Sequence, residues 1–494
     1  MYRKPWLNCL REIFMTHPAD QNVPHMDLAD FRRHGHQIID WIADYLEGVQ
    51  DRPVNSIVQP GEIAGMLPSS MPENGESFES ILSDLDRVIM PGLTHWQSPN
   101  WFAYFPANAS PTSILADVVS SGLGVQGMLW ATSPACTEVE TRVLDWLADF
   151  LGLGDRFLST GTGGGVIQDT ASSAAVCTML AARDRATSGT QQGLSGHAPS
   201  LRAYTSNQAH SSIEKAAGII GIGRDNLRLI EVDDQYAMCP AALRAAIEED
   251  LAAGHQPFYV SATIGTTASG AFDPLPEILE ICRAYGLWFH VDAAMFGTAA
   301  CCEEFRWIQA GCQEADSYTM NPHKWMLVNF DCNCLWVADR AALIESLSIL
   351  PEYLRNQATN SGAVIDYRDW QIPLGRRFRS LKLWFVLRQY GVIGIQNMVR
   401  EHAALTRDLV TWIEEDECFE ILAPAPVTLV CFAHRDGDER TQAILDAANA
   451  SGKVSLSHAR LKDRLVIRFS IGQWRTQRSH VESAWKLIQS FSDA

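Results

Sequence analysis

Apolar and polar residues alternate along the middle of the chain in a way that predicts strands and helices in turn. From Leu201 onward, short apolar stretches of strand length are separated by longer stretches in which apolar residues recur at helical spacing. Such alternation predicts βαβ units, an α/β fold with a mostly parallel sheet covered by helices. The strand-like stretches are 202–206, 227–232, 258–263 and 287–292, and the helix-like stretches are 211–221, 240–253 and 276–285.

The two ends of the chain have other patterns. Asp27 is a candidate N-cap for an amphipathic helix that ends at Gly48. Its apolar stripe must pack on a later part of the chain or on a second subunit, and we favour the second subunit. Beyond Tyr390, alternating helices and strands predict a smaller α/β domain. The predicted division is an N-terminal extension (1–25), a helical dimerisation segment (26–110), a large domain (111–381) and a small C-terminal domain (382–494).

Composition limits the classes of partner. The net charge of −19 argues against nucleic acid and anionic membranes, because both favour clustered Lys and Arg. No apolar run reaches the roughly eighteen uncharged residues of a membrane span. The 12 cysteines are scattered without paired CxxC spacing, so we expect reduced thiols in a cytoplasmic protein and no metal site.

The candidate chemistry centres on Lys324 and Asp292. Asp292 ends an apolar strand, and the apolar stretch 317–320 runs directly into Asn321-Pro322-His323-Lys324-Trp325. Both side chains are therefore expected at the same edge of the parallel sheet, where α/β proteins bind ligands. A lysine amine can form a Schiff base with the aldehyde of pyridoxal phosphate, and a carboxylate can pair with its pyridine nitrogen. A surface lysine and a helix-capping aspartate would give the same pattern, so further motifs are needed.

Other segments add to this picture. The glycine run 161–165 precedes Ala171 and Ser172 at a helix start, where free backbone N–H groups can bind a phosphate. His210 and Thr267 fall at the ends of elements. The aromatic-rich segment 94–106 predicts either core or the wall of a flat pocket. The polar segment 348–363, which contains Tyr353, has the character of a mobile lid.

Together these motifs resemble the group II pyridoxal-phosphate decarboxylases of aromatic L-amino acids, from about residue 27 to about residue 488. The resemblance implies the type I fold of pyridoxal-phosphate-dependent transferases, like that of aspartate aminotransferase. The motifs are Met90-Pro91-Gly92 with His95-Trp96, Tyr104-Phe105-Pro106, Ser133-Pro134-Ala135 with Thr137-Glu138, Gly163 to Gln168, His210-Ser211-Ser212, His290-Val291-Asp292-Ala293-Ala294, Asn321 to Trp325, and Asp369 to Phe378.

The resemblance also implies roles for single residues. Lys324 carries the cofactor, Asp292 contacts its pyridine nitrogen, and His210 stacks on its ring. Tyr353 reaches over from the partner subunit of a homodimer and protonates the carbon that loses carbon dioxide. The other cofactor positions are Ala171, Ser172 and Asn321 for the phosphate, with Thr267, Ala294 and His323 beside them.

The implied reaction converts an aromatic L-amino acid to its amine and carbon dioxide. Tryptophan, 5-hydroxytryptophan, DOPA, tyrosine and phenylalanine are the candidate substrates. Gly375 matches a position that is glycine in plant tryptophan decarboxylases and serine in tyrosine decarboxylases, which favours an indole substrate. Alternatives are an aromatic acetaldehyde synthase, an aminotransferase and a catalytically retired cofactor-binding protein. The implied substrate-binding residues are Tyr104, Phe105, Pro106, Ala107, Gln126, Met128 and Gly375.

Overall fold

The computed structural model describes residues 25–187, 189, 193–194, 200–349 and 364–492. Among these residues, no helix has both the length and the apolar character needed to cross a membrane. The helices are α1 (Leu28–Gly48), α2 (Glu62–Met66), α3 (Phe78–Asp84), α4 (Pro111–Leu123), α5 (Pro134–Leu151), α6 (Ala171–Thr187), α7 (Ser212–Ile219), α8 (Pro240–Ala252), α9 (Leu275–Tyr285), α10 (Pro322–Trp325), α11 (Arg340–Leu347), α12 (Arg379–Glu414), α13 (Asp438–Ala450) and α14 (Arg478–Ser490).

The strands form two sheets. A seven-stranded sheet has the order β1-β7-β6-β5-β4-β2-β3, and a four-stranded sheet has the order β10-β11-β9-β8. The strands are β1 (Gly164–Gln168), β2 (Leu201–Ser206), β3 (Leu227–Ile230), β4 (Gln256–Thr263), β5 (Trp288–Asp292), β6 (Ser317–Met320), β7 (Asn333–Val337), β8 (Phe419–Ile421), β9 (Leu429–His434), β10 (Ser457–Leu461) and β11 (Arg464–Ser470).

The described residues of 25–49 and 60–91 form one compact unit, and those of 50–59 and 92–492 form the other. In the first unit, Asp27 caps α1 as predicted, because its carboxylate accepts the N–H groups of Ala29 and Asp30 at 2.8 Å. Trp41 of α1 donates to Asp86 at 3.2 Å, which ties this helix to the segment after α3. The predicted boundaries at 110/111 and 381/382 stay predictions.

The core of the large sheet is parallel, as predicted. Strands β3, β2, β4, β5 and β6 run in one direction, while β7 and β1 are antiparallel to their neighbours. Asp292 pairs with Thr319 in the β5–β6 ladder. Asp292, the last residue of β5, therefore lies beside Thr319 near the end of β6. The segment that carries Lys324 leaves the sheet at this same edge.

The glycine run differs from the prediction. Its residues from Gly164 onward belong to β1, which is fully buried and pairs with β7. A Cβ at Gly163 would overlap the carbonyl oxygen of Arg156, and one at Gly165 would lie 2.8 Å from the ring of Trp336. These glycines allow close packing of an edge strand, and only the helix start that follows them faces the site described below.

A buried ion pair fastens β1 to the segment before α12. Both oxygens of Glu140 accept hydrogen bonds from Arg376, at 3.0 and 2.6 Å, although these residues are only 2% and 3% exposed. The pair extends into the sheet, since Arg376 donates to the carbonyl of Ile167 and the N–H of Ile167 donates to Glu140, both at 2.8 Å. Each side chain of the pair therefore neutralises the buried charge of the other.

We expect Glu140→Gln to lower the free energy of unfolding by about 3 kcal/mol or more, because it leaves the buried Arg376 without a counter-charge. Urea unfolding followed by tryptophan fluorescence measures the change. Glu482→Gln is the control, since Glu482 pairs with Lys486 at 2.9 Å on the surface, where solvent screens the pair, and should leave the free energy of unfolding nearly unchanged. Equal losses for the two variants would contradict this view of the Glu140–Arg376 pair.

Candidate active site

A cavity of about 220 Å³ lies where β4, β5 and β6 end. Asp292 is the last residue of β5, and Lys324 belongs to α10, the short helical turn that follows β6. The cavity therefore lies at the edge of the parallel sheet that the sequence predicts for a ligand. The lining residues are Phe105, Thr170, Ala171, Ser172, His210, Thr263, Gly265, Thr267, Asp292, Ala294, Met295, Asn321, His323, Lys324 and Phe330.

The structure brings all the predicted cofactor positions around this one cavity. They come from five separate segments of the chain, the starts of α6 and α7 and the turns after β4, β5 and β6. Their individual roles toward a cofactor stay predictions. These positions are Ala171, Ser172, His210, Thr267, Asp292, Ala294, Asn321, His323 and Lys324.

The Lys324 amine is held in a form suited to nucleophilic attack. Burial lowers the pKa of Lys324, the nearby Arg468 cation lowers it further, and Asp292 opposes the shift. The amine Nζ lies 5.3 Å from the centroid of the Phe105 ring. Within the described part of the chain, Nζ has no hydrogen-bond or ion-pair partner. A larger fraction of the amine is therefore neutral than for a surface lysine.

Asp292 is buried and fixed by its own turn. One carboxylate oxygen, Oδ1, accepts the N–H of Ala294 at 3.0 Å. His290 lies two residues earlier in β5, and burial lowers its pKa to about 4. Because His290 is thus neutral near pH 7, it places no positive charge beneath Asp292, and the carboxylate is left to pair with a cation in the cavity.

Two further histidines line the cavity in neutral form. Burial lowers the pKa of His323 to about 3, with the Lys324 charge acting in the same direction. The Nδ1 atom of His323 accepts the N–H of Cys332 at 2.9 Å, so the proton of the neutral ring is on Nε2. Burial also lowers the pKa of His210, and its Nδ1 accepts the N–H of Ser212 at 3.2 Å. Both rings therefore keep an Nε2–H donor.

The start of α6 offers backbone donors to the cavity. The N–H groups of Ser173 and Ala174 both donate to the carbonyl of Thr170. Those of Ala171 and Ser172 have no acceptor among the described residues, as expected for the first turn of a helix. Asn321 adds a side chain whose Oδ1 accepts from Asn333 at 2.6 Å. This arrangement suits a phosphate group.

A family model described as the pyridoxal-dependent decarboxylase conserved domain matches residues 60–435. The chain belongs to this family. It is 45% identical to tyrosine decarboxylase 2 of Narcissus pseudonarcissus over 95% of each chain. It is 44% identical to phenylacetaldehyde synthase of Arabidopsis thaliana, over 96% of this chain and 98% of that protein. The Oryza sativa TDC crystal structure with PLP and tryptamine superposes with a TM-score of 0.93 at 38% identity, covering 96% of this chain and 99% of that one.

These findings confirm the predicted family, the fold class, the carboxy-lyase class and pyridoxal phosphate as cofactor. When bound, pyridoxal phosphate supplies an aldehyde that accepts amines and a ring that accepts the electron pair of a departing carboxylate. The residues of this decarboxylase fit the group: Lys324 offers an amine and the start of α6 offers N–H donors, all without partners in the part of the chain that the structure describes, and Asp292 offers a carboxylate. The hydroxyl of Thr263 is also buried without a partner among the described residues, on the cavity wall.

The predicted substrate residues are divided between two places. Of these residues, only Phe105 lines the cavity within the described part of the chain. Tyr104 is 59% exposed, and its ring lies against that of Trp96 with centroids 5.9 Å apart. Pro106 and Ala107 continue the same segment. Gln126 lies beside Gly375, because its Oε1 accepts the N–H of Arg376 at 3.2 Å, whereas the carbonyl of Met128 accepts the N–H of Arg368 at 3.1 Å. Tyr353 lies outside the described residues.

Sequence reasoning missed one charged residue near the site. Arg468 of β11 is only 3% exposed, and its guanidinium lies 5.4 Å from the centroid of the Phe105 ring. It donates to Ser457 at 2.7 Å and to the carbonyl of Tyr104 at 3.4 Å. The sequence feature that could have identified Arg468 is its position as a single charged residue within the otherwise apolar run 465–469. Other lining residues that were missed are Thr170, Thr263, Gly265, Met295 and Phe330.

We expect Arg468→Met to raise the pKa of Lys324 and Asp292→Asn to lower it, because the first removes a neighbouring positive charge and the second a negative one. The measurement is acetic anhydride labelling of the cofactor-free protein over a pH series, with Lys324 quantified by peptide mass spectrometry. Lys462, an exposed lysine beside Asp234, is the internal control. Shifts of equal sign in the two variants would contradict this electrostatic account.

Proposed function

We propose that this decarboxylase converts an aromatic L-amino acid to its amine and carbon dioxide. The observation that carries the proposal is the amine of Lys324, which has a lowered pKa and no partner among the described residues, in a cavity that also holds Asp292. Phe105 and Phe330 give this cavity two aromatic walls, which suit an aromatic side chain. The similarity to a tyrosine decarboxylase and to a TDC that binds tryptamine supports the same substrate class.

The proposed roles follow from the contacts in the cavity. Lys324 would hold the cofactor and yield it to the substrate amine, and Asp292 would keep the pyridine nitrogen protonated. Neutral His210, whose Nδ1 is occupied by Ser212, would lie against the ring with its Nε2–H toward the substrate. Ala171 and Ser172 would bind the phosphate through their N–H groups, with Asn321, Thr267, Ala294 and His323 beside the cofactor.

The test is product analysis of the purified holoenzyme. Tryptophan, 5-hydroxytryptophan, DOPA, tyrosine and phenylalanine are supplied separately, with histidine and glutamate as non-aromatic controls, and amine and carbon dioxide are quantified. We expect amine and carbon dioxide in equal amounts from the aromatic set alone. Protein that binds the cofactor but releases no carbon dioxide from any of them would overturn the proposal.

The same panel tests the preference for indole. A Cβ at Gly375 would lie 3.5 Å from Oε1 of Gln126, an ordinary contact, so serine fits there without backbone movement. Because Gly375 does not line the cavity within the described part of one chain, it would act from the partner subunit of a homodimer, where Gly375→Ser would place a hydroxyl beside Gln126 and reduce the space for an indole. We expect the ratio of tryptophan to tyrosine turnover to fall about tenfold, within the range that a small change in an apolar pocket produces. An unchanged ratio would remove Gly375 from substrate selection.

A second candidate is oxidative decarboxylation to an aldehyde, favoured by the similarity to a phenylacetaldehyde synthase. We propose amine formation instead, because Tyr353 and His210 are both present in the sequence. Tyr353 would supply the proton that completes the amine. We expect Tyr353→Phe to lower the amine yield and, because molecular oxygen then takes the electron pair that is not protonated, to raise aldehyde, hydrogen peroxide and ammonia with consumption of oxygen and water, each measured by chromatography or coupled assay. A variant that makes only amine at the original rate would exclude this role for Tyr353.

We further propose a cytoplasmic homodimer. Exposed apolar residues on one face of α4 support a subunit contact, as do Leu28 (79% exposed) and Phe31 (63% exposed) on α1. Every cysteine that the structure describes is a free thiol, which supports a reducing compartment. The exposed residues of α4 are Leu115, Val118, Val119 and Leu123.

A further inference from the structure

The helical turn that carries Lys324 is too short to satisfy its own carbonyl groups. Helix α10 has four residues, and its internal hydrogen bonds use only the carbonyls of Asn321 and Pro322, which accept from Lys324 at 2.9 Å and Met326 at 3.0 Å. The carbonyls of His323 and Lys324 therefore need donors from elsewhere, as at any helix C-terminus. The position of the lysine backbone depends on what supplies them.

Asn108 supplies both donors. Its backbone N–H donates to the carbonyl of His323 at 3.2 Å, and its side-chain Nδ2 donates to the carbonyl of Lys324 at 2.6 Å. We propose that Asn108 is a positioning residue that sets where the Lys324 amine lies in the cavity. It acts through the backbone and makes no contact with the amine itself.

The amide of Asn108 is fully used, which fixes its orientation. Nδ2 donates a second hydrogen bond to the carbonyl of Gly472 at 3.0 Å, and Oδ1 accepts the N–H of Trp474 at 2.9 Å. Asn108 is completely buried. Because two donors and one acceptor meet complementary backbone groups, a flipped amide would lose all three bonds. One side chain thus joins the lysine turn to the loop after β11.

Other residues near Asn108 also hold the lysine turn and the segment that contains Asn108. The hydroxyl of Ser110 donates to the carbonyl of Leu327 at 2.6 Å, three residues after the lysine. The side-chain amide of Gln97 holds the segment from the other side, since it donates to the carbonyl of Ala107 and accepts the N–H of Ala109 at 3.0 Å. Phe105 of this segment lines the cavity, so the aromatic wall and the lysine turn share one anchor.

The test compares wild-type holoenzyme with Asn108→Ala and with Asn108→Asp, which keeps the shape but loses the Nδ2 donors. Only the kinetic measurement in this test rests on the proposed function. We expect kcat to fall by about tenfold to a hundredfold with KM changed by less than about threefold, because misplacement of a reacting group by 1 Å costs on that order. We also expect the pH midpoint of the absorbance of Lys324-bound cofactor to shift by about half a unit or more, because protonation of the lysine nitrogen, once it is joined to the cofactor, depends on where that nitrogen lies among the neighbouring charges.

Asn449→Ala is the matched control. Asn449 likewise uses both ends of its amide, donating to the carbonyl of Leu456 at 3.1 Å and accepting its N–H at 2.8 Å, and it does not line the cavity. This variant should lose thermal stability but keep kcat and the absorbance midpoint. Asn108 variants that behave like the control in both readouts would overturn the proposal.

Two further comparisons separate a failure of this proposal from a failure to fold and from a failure of the proposed function. If both Asn108 variants fail to fold, Ser110→Ala decides the question: a shifted midpoint supports the proposal, and an unchanged one overturns it. If the wild type makes no amine from any aromatic amino acid, the proposed function fails, while the absorbance midpoint still tests the role of Asn108.

Discussion

The parallel pairing of β5 with β6 is the constraint on which the site depends. It sets Asp292 level with Thr319 in the adjacent strand, so a carboxylate and the segment leading to Lys324 leave the sheet side by side. Backbone hydrogen bonds fix this alignment, because a slip of one residue would turn every side chain of a strand to the opposite face. The register of β5 and β6 therefore brings together the amine and the carboxylate that the cofactor chemistry needs.

Burial is the second physical theme of the cavity. It lowers the pKa of Lys324, His210 and His323, and His290 beneath the cavity is neutral for the same reason. The smaller positive charge that results leaves the Asp292 carboxylate available to a cofactor ring, with Arg468, near Phe105, as a neighbouring cation. A desolvated site of this kind strengthens each remaining electrostatic contact.

The sequence predicted the parts of the site that depend on local pattern. Asp292 and Lys324 could be placed because each follows a short apolar strand, and the strand order then made them neighbours. The glycine run that leads into β1 has the pattern of a phosphate-binding turn. The sequence cannot distinguish a glycine needed for a turn from one needed for close packing. Asn108 could not be found at all, since it is separated from Lys324 by 216 residues and bonds only to backbone groups. A hydrogen bond from a side chain to the backbone of a distant segment produces no periodicity or motif in the sequence.

Helix α12 contains one residue with consequences beyond its own turn. Gly391 interrupts the helix with φ 62° and ψ −177°, and no atom of the described residues lies within 4 Å of where a Cβ would be. Such a backbone is open almost exclusively to glycine, so the requirement here is conformational and not steric. Before it the helix packs Leu383 and Val386 into the core of the large sheet.

Beyond Gly391 the helix packs Leu405 and Leu409 into the core of the small sheet, and His402 accepts a hydrogen bond from Trp325 at 2.8 Å. The direction that the chain takes at this single glycine therefore governs how the small sheet, with Arg468 and the loop after it, meets the lysine turn. The alignment of the small sheet with the lysine turn therefore depends in part on the backbone conformation of one glycine more than sixty residues from the lysine.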